Sequence, residues 1–107
     1  MSNVNVVSPG QLLIDHLHKG VETLDTPRPK RVYGSSEQQS KDGLLGWIVP
    51  VAIPRGRLIE ERRVTVWAET CPDLQDGDIA IFRDVVVGAV DANVYVQAFT
   101  VRGGNDA

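Results

Sequence analysis

Cys71 stands immediately before Pro72 and is the single cysteine of the chain. A nucleophilic thiol needs a base or a positive neighbour to lower its pKa. No histidine lies near Cys71 in sequence, so it reads as an incidental or buried thiol. His16 and His18 flank one residue, with Asp15 adjacent, a spacing that would put two imidazoles on one face of a strand. No second ligand cluster accompanies them, and they read as surface histidines rather than a metal site. The carboxylates of "DLQDGD" (Asp73 to Asp78) lack the spacing and the terminal glutamate of a calcium loop. Gly34, Gly43, Gly46 and Gly56 do not form a phosphate cradle ahead of a helix. None of these groups makes a catalytic constellation. The expectation is a protein that is not an enzyme and uses no cofactor or metal.

Binding chemistry is better represented. Single-stranded nucleic acid is held by a basic groove that follows the phosphates and by aromatic faces that stack on bases. Net charge is −3, which argues mildly against such a ligand, but the charges are unevenly placed. Between Arg28 and Arg63 eight basic residues face four acidic ones, whereas from Val64 onward two face seven. A polarised surface and an uneven scatter of solvated charges both account for this. The candidate phosphate contacts are Lys30, Arg31, Lys41, Arg55, Arg57, Arg62 and Arg63. The candidate stacking residues are Tyr33 and Trp67. Tyr95 and Phe99 are candidates for a subunit interface, and Phe82 for packing.

Strands must position these groups. In "LLGWIVPVAI", Leu45, Trp47, Val49, Val51 and Ile53 share one parity, which places Trp47 with the core, although a ligand-facing Trp47 stays open. Pro50 cannot donate a ladder bond and calls for an edge or a bulge. "IPRGR" is a basic turn. Val64 and Val66 then point one way and Arg63, Thr65 and Trp67 the other. An outward Trp67 is either a stacking surface or a side chain covered by the N-terminal arm. "DIAIF" puts Ile79 and Ile81 on one face, expected to be the core face. "DAN" is a hairpin turn before "VYVQAFTV", with Val94, Val96 and Ala98 inward and Tyr95, Gln97 and Phe99 outward. "PRPKRVYGSSEQQSKDG" reads as a long polar, mobile loop.

A chain of 107 residues is one domain, and 42% hydrophobic with 23% charged residues is ordinary globular usage. The division expected is an arm or short helix over 1–18, a barrel over 19–101 and a disordered tail over 102–107. The run from Gly43 to Pro54 is too short to span a bilayer, "MSNVNVVSPG" has no basic residue, and a lone cysteine suits a reducing compartment. These features lead to the expectation of a cytoplasmic protein with no membrane partner. Five strands, with a connector between the third and fourth, predict an all-β, partly open Greek-key barrel of the OB-fold type; an SH3-like barrel or a small sandwich fits nearly as well.

The succession "PRPK", "KDG", "GWIVPVAI", "RRVTV", "PDLQDGDIAIF" and "VYVQA" resembles the small OB-fold proteins of actinobacterial plasmids, integrating elements and phages. The resemblance runs from about Gly20 to Val101. This chain departs from the pattern in carrying Trp67 where a small residue or proline is usual, and in its N-terminal arm. The resemblance implies an OB-fold and a part in handling the DNA of a mobile element. The functional expectation is binding of single-stranded DNA in phage or plasmid replication or transfer. The alternative is an interaction module that uses Tyr95 and Phe99 to form a homo-oligomer or to dock on replication proteins.

Overall fold

The computed structural model describes residues 9–90 and 93–103. The chain begins there with a helix, α1 (Pro9–Lys19), followed by β1 (Val21–Thr23), β2 (Arg28–Pro29), β3 (Ser40–Lys41), β4 (Leu44–Arg55) and β5 (Leu58–Ala68). A connector without regular structure leads to β6 (Ile79–Arg83), β7 (Val86–Val90), β8 (Asn93–Ala98) and β9 (Thr100–Gly103). The protein is therefore mostly β with one short helix.

Helix α1 buries Leu13 and Leu17, four residues apart and so on one face. Gly20 ends the helix at φ 121°, where its N–H donates to the His16 carbonyl at 3.0 Å. Of the arm or short helix expected over 1–18, residues from Pro9 onward form a packed helix, and residues 1–8 lie outside the described residues.

The strands form one mixed sheet in the order β7-β8-β5-β4-β1-β6-β9, with β2 and β3 both pairing on β4. The long β4–β5 hairpin is its spine, in register from Leu45 opposite Ala68 to Arg55 opposite Leu58. β5 and β8 run parallel, whereas the other pairs are antiparallel. The sheet is not closed into a barrel by a continuous ladder. Its path nevertheless folds back, because β8 and β9 are separated only by Phe99 while lying on β5 and β6 respectively. The expected five strands become nine because the loop contributes β2 and β3, the valine run forms β7, and the last strand breaks at Phe99.

The core joins Leu13, Leu17, Val21, Val49, Val51, Ile53, Val64, Val66, Leu74, Phe82, Val96 and Ala98. The expected placements of Val49, Val51, Val64, Val66 and Val96 hold. Val94 is on β8, but its side chain falls outside what is described, as do Asp91 and Ala92 of the turn and residues 104–107 of the tail. Trp47 keeps the core parity and is half-buried, its indole N–H donating to the Ala68 carbonyl at 3.1 Å.

Three expectations are corrected. First, Ile79 and Ile81 do share a face, but it is not the core face. Ala80 pairs with buried Val21 and Ile79 with exposed Glu22, so the sheet register turns Ala80 and Phe82 inward. Second, Arg102 and Gly103, expected in the tail, pair with Ile81 and Ala80 in β9. Third, the 28–41 segment is not an unstructured loop. Lys30 N–H donates to the Gly46 carbonyl at 2.9 Å, Gly46 N–H to Gln39 at 2.7 Å and Gln39 N–H to Lys30 at 2.6 Å, pinning it across β4.

Pro50 sits in mid-sheet without a bulge. An extended residue points its N and its C=O to the same side, and the Pro50 carbonyl accepts from Leu24 N–H at 2.9 Å. Leu24 lies between β1 and β2, so the missing N–H forgoes only the return bond to Leu24 at the end of that pairing, and the ladder to β5 on the other side of β4 is unbroken.

The β6 register generates a direct test by urea denaturation. Phe82, with no exposed surface, should cost about 3–5 kcal/mol when cut to alanine. Ile79, 36% exposed, should cost well under half of that. The opposite ranking would restore the expected register.

Candidate functional site

β5 is buried on both of its faces near its end: Val64 and Val66 on the core side, Thr65 and Trp67 on the other. Trp67 is 4% exposed, so the sequence reading of its direction holds while the expected exposed stacking face does not. Among the described residues its cover comes from the 28–41 segment and from the β8–β9 junction; residues 1–8 of the arm lie outside them.

Gly46 opposes Trp67 across the β4–β5 ladder. A Cβ there would lie 3.0 Å from Trp67 Cζ3, 3.3 Å from the Gln39 carbonyl and 3.4 Å from Lys30 Cβ. The missing side chain is the space through which the 28–41 segment reaches the indole. Trp67 Nε1 donates to Gln97 Oε1 at 2.8 Å. Lys41 Nζ lies 5.8 Å from the Trp67 ring centroid and 5.7 Å from that of Phe99, within cation–π range of both. Lys30 Nζ donates to Thr65 Oγ1 at 3.0 Å, and its burial lowers its pKa from the ordinary lysine value.

These groups surround a cavity of about 310 Å3, lined by Lys30, Lys41, Thr65, Trp67, Tyr95 and Gln97 among others. Tyr95 and Phe99 are 42% and 39% exposed. They belong with Trp67, because Thr65 pairs with Gln97 and the parity of β8 carries Tyr95 to that side, while Phe99, just past β8, shares the Lys41 ammonium with the indole. The two residues expected at an interface therefore join the stacking candidates. Tyr95 lies flat over Gly88, its cross-strand partner, where a Cβ would meet the phenol ring at 2.4 Å. Arg63 is exposed on the same face of β5, two residues before Thr65.

The remaining basic candidates lie elsewhere. Arg55 and Arg57 are at the β4–β5 tip, ten residues from Trp67 or about 33 Å along an extended strand. Glu60 binds both Arg55, at 3.0 Å, and Arg62, at 3.1 Å. Arg62 faces the opposite side from Arg63 and lines a second cavity of about 520 Å3 with Leu13, Ile53, Arg55, Glu60 and Val87. Arg31 is tied back to the Ser36 carbonyl, and Tyr33 projects fully into solvent at the end of the 28–41 segment. The basic candidates are thus divided: Lys30 and Lys41 line the Trp67 cavity with Arg63 exposed on the same face, while Arg55, Arg57 and Arg62 lie toward the β4–β5 tip and Arg31 in the 28–41 segment.

Gln97 and Thr65 were missed as site residues. Their polar side chains on the outward parity of adjacent strands carried the signal, but the β5–β8 pairing that joins them is not local in sequence. Cys71 is exposed, and partial burial followed by the neighbouring Asp73 carboxylate raises its pKa. That is the reverse of an activated thiol. Among the described residues no group of three His, Cys, Asp or Glu side chains is placed to hold a metal ion, and no helix is long and apolar enough to cross a membrane.

The close fit at Gly46 predicts that Gly46→Ala lowers stability by about 1–3 kcal/mol, because Trp67 or the Lys30–Gln39 crossing must shift. Gly10→Ala, where the new Cβ would meet only Val87 at 3.8 Å, should not destabilise the protein. Equal melting temperatures for the two variants would show that the slot is not tight. The chain matches no protein-family model, no curated protein and no solved structure.

Proposed function

We propose that this protein is a non-catalytic binder of single-stranded DNA that uses the outer face of β5 and β8. The observation that carries the reading is the meeting of Lys30 and Lys41 with Trp67 and Tyr95 around one cavity, with Phe99 beside Lys41 and Arg63 on the same face of β5. Amines and a guanidinium neutralise phosphates, while Tyr95 and Phe99 offer ring faces to bases. Trp67 forms the floor and does not itself stack. An OB-like arrangement supports the same reading: β4 and β5 follow β1 in the sheet, β8 runs parallel to β5, and β9 returns along β6. OB-folds bind oligonucleotides on the face of their second and third strands, the positions that β4 and β5 would hold. A setting in phage or plasmid replication rests on the sequence resemblance alone.

A second reading, a protein-interaction module, is favoured by one separate feature. Leu58 and Ile59 at the β4–β5 tip are about three-quarters exposed, at 74% and 76%. Apolar side chains this open suit a partner surface.

Titration of labelled oligo-dT, about 16 nucleotides long, at several salt concentrations tests the first reading. Three or four phosphate contacts give a log–log salt slope of roughly −2 to −3, at about −0.7 per contact. Lys41→Ala should make the slope shallower by about 0.7, whereas R55A/R57A should leave it nearly unchanged. No binding at low salt, with self-association abolished by charged residues at Leu58 and Ile59, would install the second reading instead.

A further inference from the structure

An indole N–H is a donor and never an acceptor. The 2.8 Å bond from Trp67 Nε1 therefore fixes the Gln97 carboxamide with Oε1 toward the indole. Both Nε2 hydrogens are left over, and no partner within the described residues takes them. Lys30, on the same cavity, gives one N–H to Thr65 Oγ1 and retains the others. The two polar side chains that are held in place on the cavity wall are thus donors of hydrogen bonds, a carboxamide NH2 locked by Trp67 and an ammonium held by Thr65, whereas Gln39 and Ser40, which also line it, make no side-chain bond among the described residues that fixes them. Its volume of about 310 Å3 is at the small end of ligand pockets, which run from roughly 300 to 1,000 Å3. Tyr95 stands at its rim as a ring face.

From this arrangement we propose that the cavity takes one base of the bound strand and reads its carbonyl oxygens, favouring thymine and uracil over cytosine, with Gln97 as the specificity-determining residue. The inference rests on the single-strand reading above. Thymine and uracil present two carbonyl acceptors to such a wall. Cytosine keeps O2 and has an acceptor at N3, but it carries an amino group where thymine has O4, which would set donor against donor at the position Gln97 reads. A buried donor left without an acceptor carries the desolvation penalty of the unmade bond, so the mismatch is felt even though stacking and phosphate contacts are kept. Trp67 acts here as a positioning residue: it touches the Gln97 oxygen and leaves the amide nitrogen to the ligand.

The test measures binding of equal-length (dT), (dU) and (dC) strands to the full chain at one low salt concentration. The protein should hold (dT) and (dU) about equally, and both about five- to tenfold more tightly than (dC), the range of one lost hydrogen bond. Gln97→Glu keeps an acceptor for Trp67 but turns an acceptor toward the ligand, so it should push the (dT)/(dC) ratio below one. Gln97→Leu offers neither donor nor acceptor and should bring the ratio close to one, and near-wild-type melting temperatures would show that both variants fold. Equal binding of (dT) and (dC) by the wild type would overturn the base preference while leaving single-strand binding standing. A preference that survives both substitutions would remove Gln97 as its source. A preference for (dT) that (dU) does not share would place the readout on the methyl group and overturn the carbonyl argument. If no strand binds, the inference falls together with the reading beneath it.

Discussion

Trp67 needs Gly46. An indole on the outward face of a sheet would ordinarily stand in solvent, but the side chain absent from the neighbouring strand lets the 28–41 segment cross close enough to cover it. From this contact the rest of the site follows. The crossing brings Lys30 to Thr65 and Lys41 over the indole, while the indole N–H turns Gln97 to a fixed orientation. A large buried aromatic contributes packing well beyond any single polar contact, and its N–H needs a partner once water is excluded. Gln97 supplies that partner, so one bond serves both stability and the shape of the cavity.

The backbone bonds that tie Lys30, Gln39 and Gly46 together have the same consequence for function. They convert a polar, glycine- and serine-rich stretch into a short two-stranded flap laid on β4. A flap fixed at its base and free at Tyr33 presents its lysines in place, with less conformational entropy left to lose when a ligand arrives. Glu60 performs the opposite service at the far end of the hairpin, where it holds Arg55 and Arg62 together and reduces their net attraction for an anion. Charge of the same sign along one hairpin thus has two different roles, decided by the neighbours.

Much of the sheet was legible in the sequence. The alternation through Val49, Val51, Val64 and Val66 fixed the faces of β4 and β5, because two long strands with strict parity leave one arrangement that buries the valines. β6 was misread for the opposite reason: with Ile79 and Ile81 against Ala80 and Phe82, both faces are apolar, and only pairing with Val21 decides between them. The direction of Trp67 was legible but its burial was not, since its cover lies 26 residues before it and 30 after it, at Lys41 and Gln97. Counting charges identified the basic half without its division, because the distance from Arg57 to Trp67 is a property of an extended hairpin and not of composition. The partly open barrel expected from strand count is a mixed sheet with no closing ladder, and its last strand breaks at Phe99, a break that no local signal marked.

The central claim is that ligand meets the protein at the Trp67 slot, and amide and indole chemical shifts on adding oligo-dT to isotope-labelled protein test it most directly. The account predicts shifts at the Trp67 indole N–H, the Gln97 side-chain amide, Lys41 and Phe99, with the β4–β5 tip at Arg57, Leu58 and Ile59 unmoved. Shifts confined to that tip, or none at saturating oligonucleotide, would contradict it.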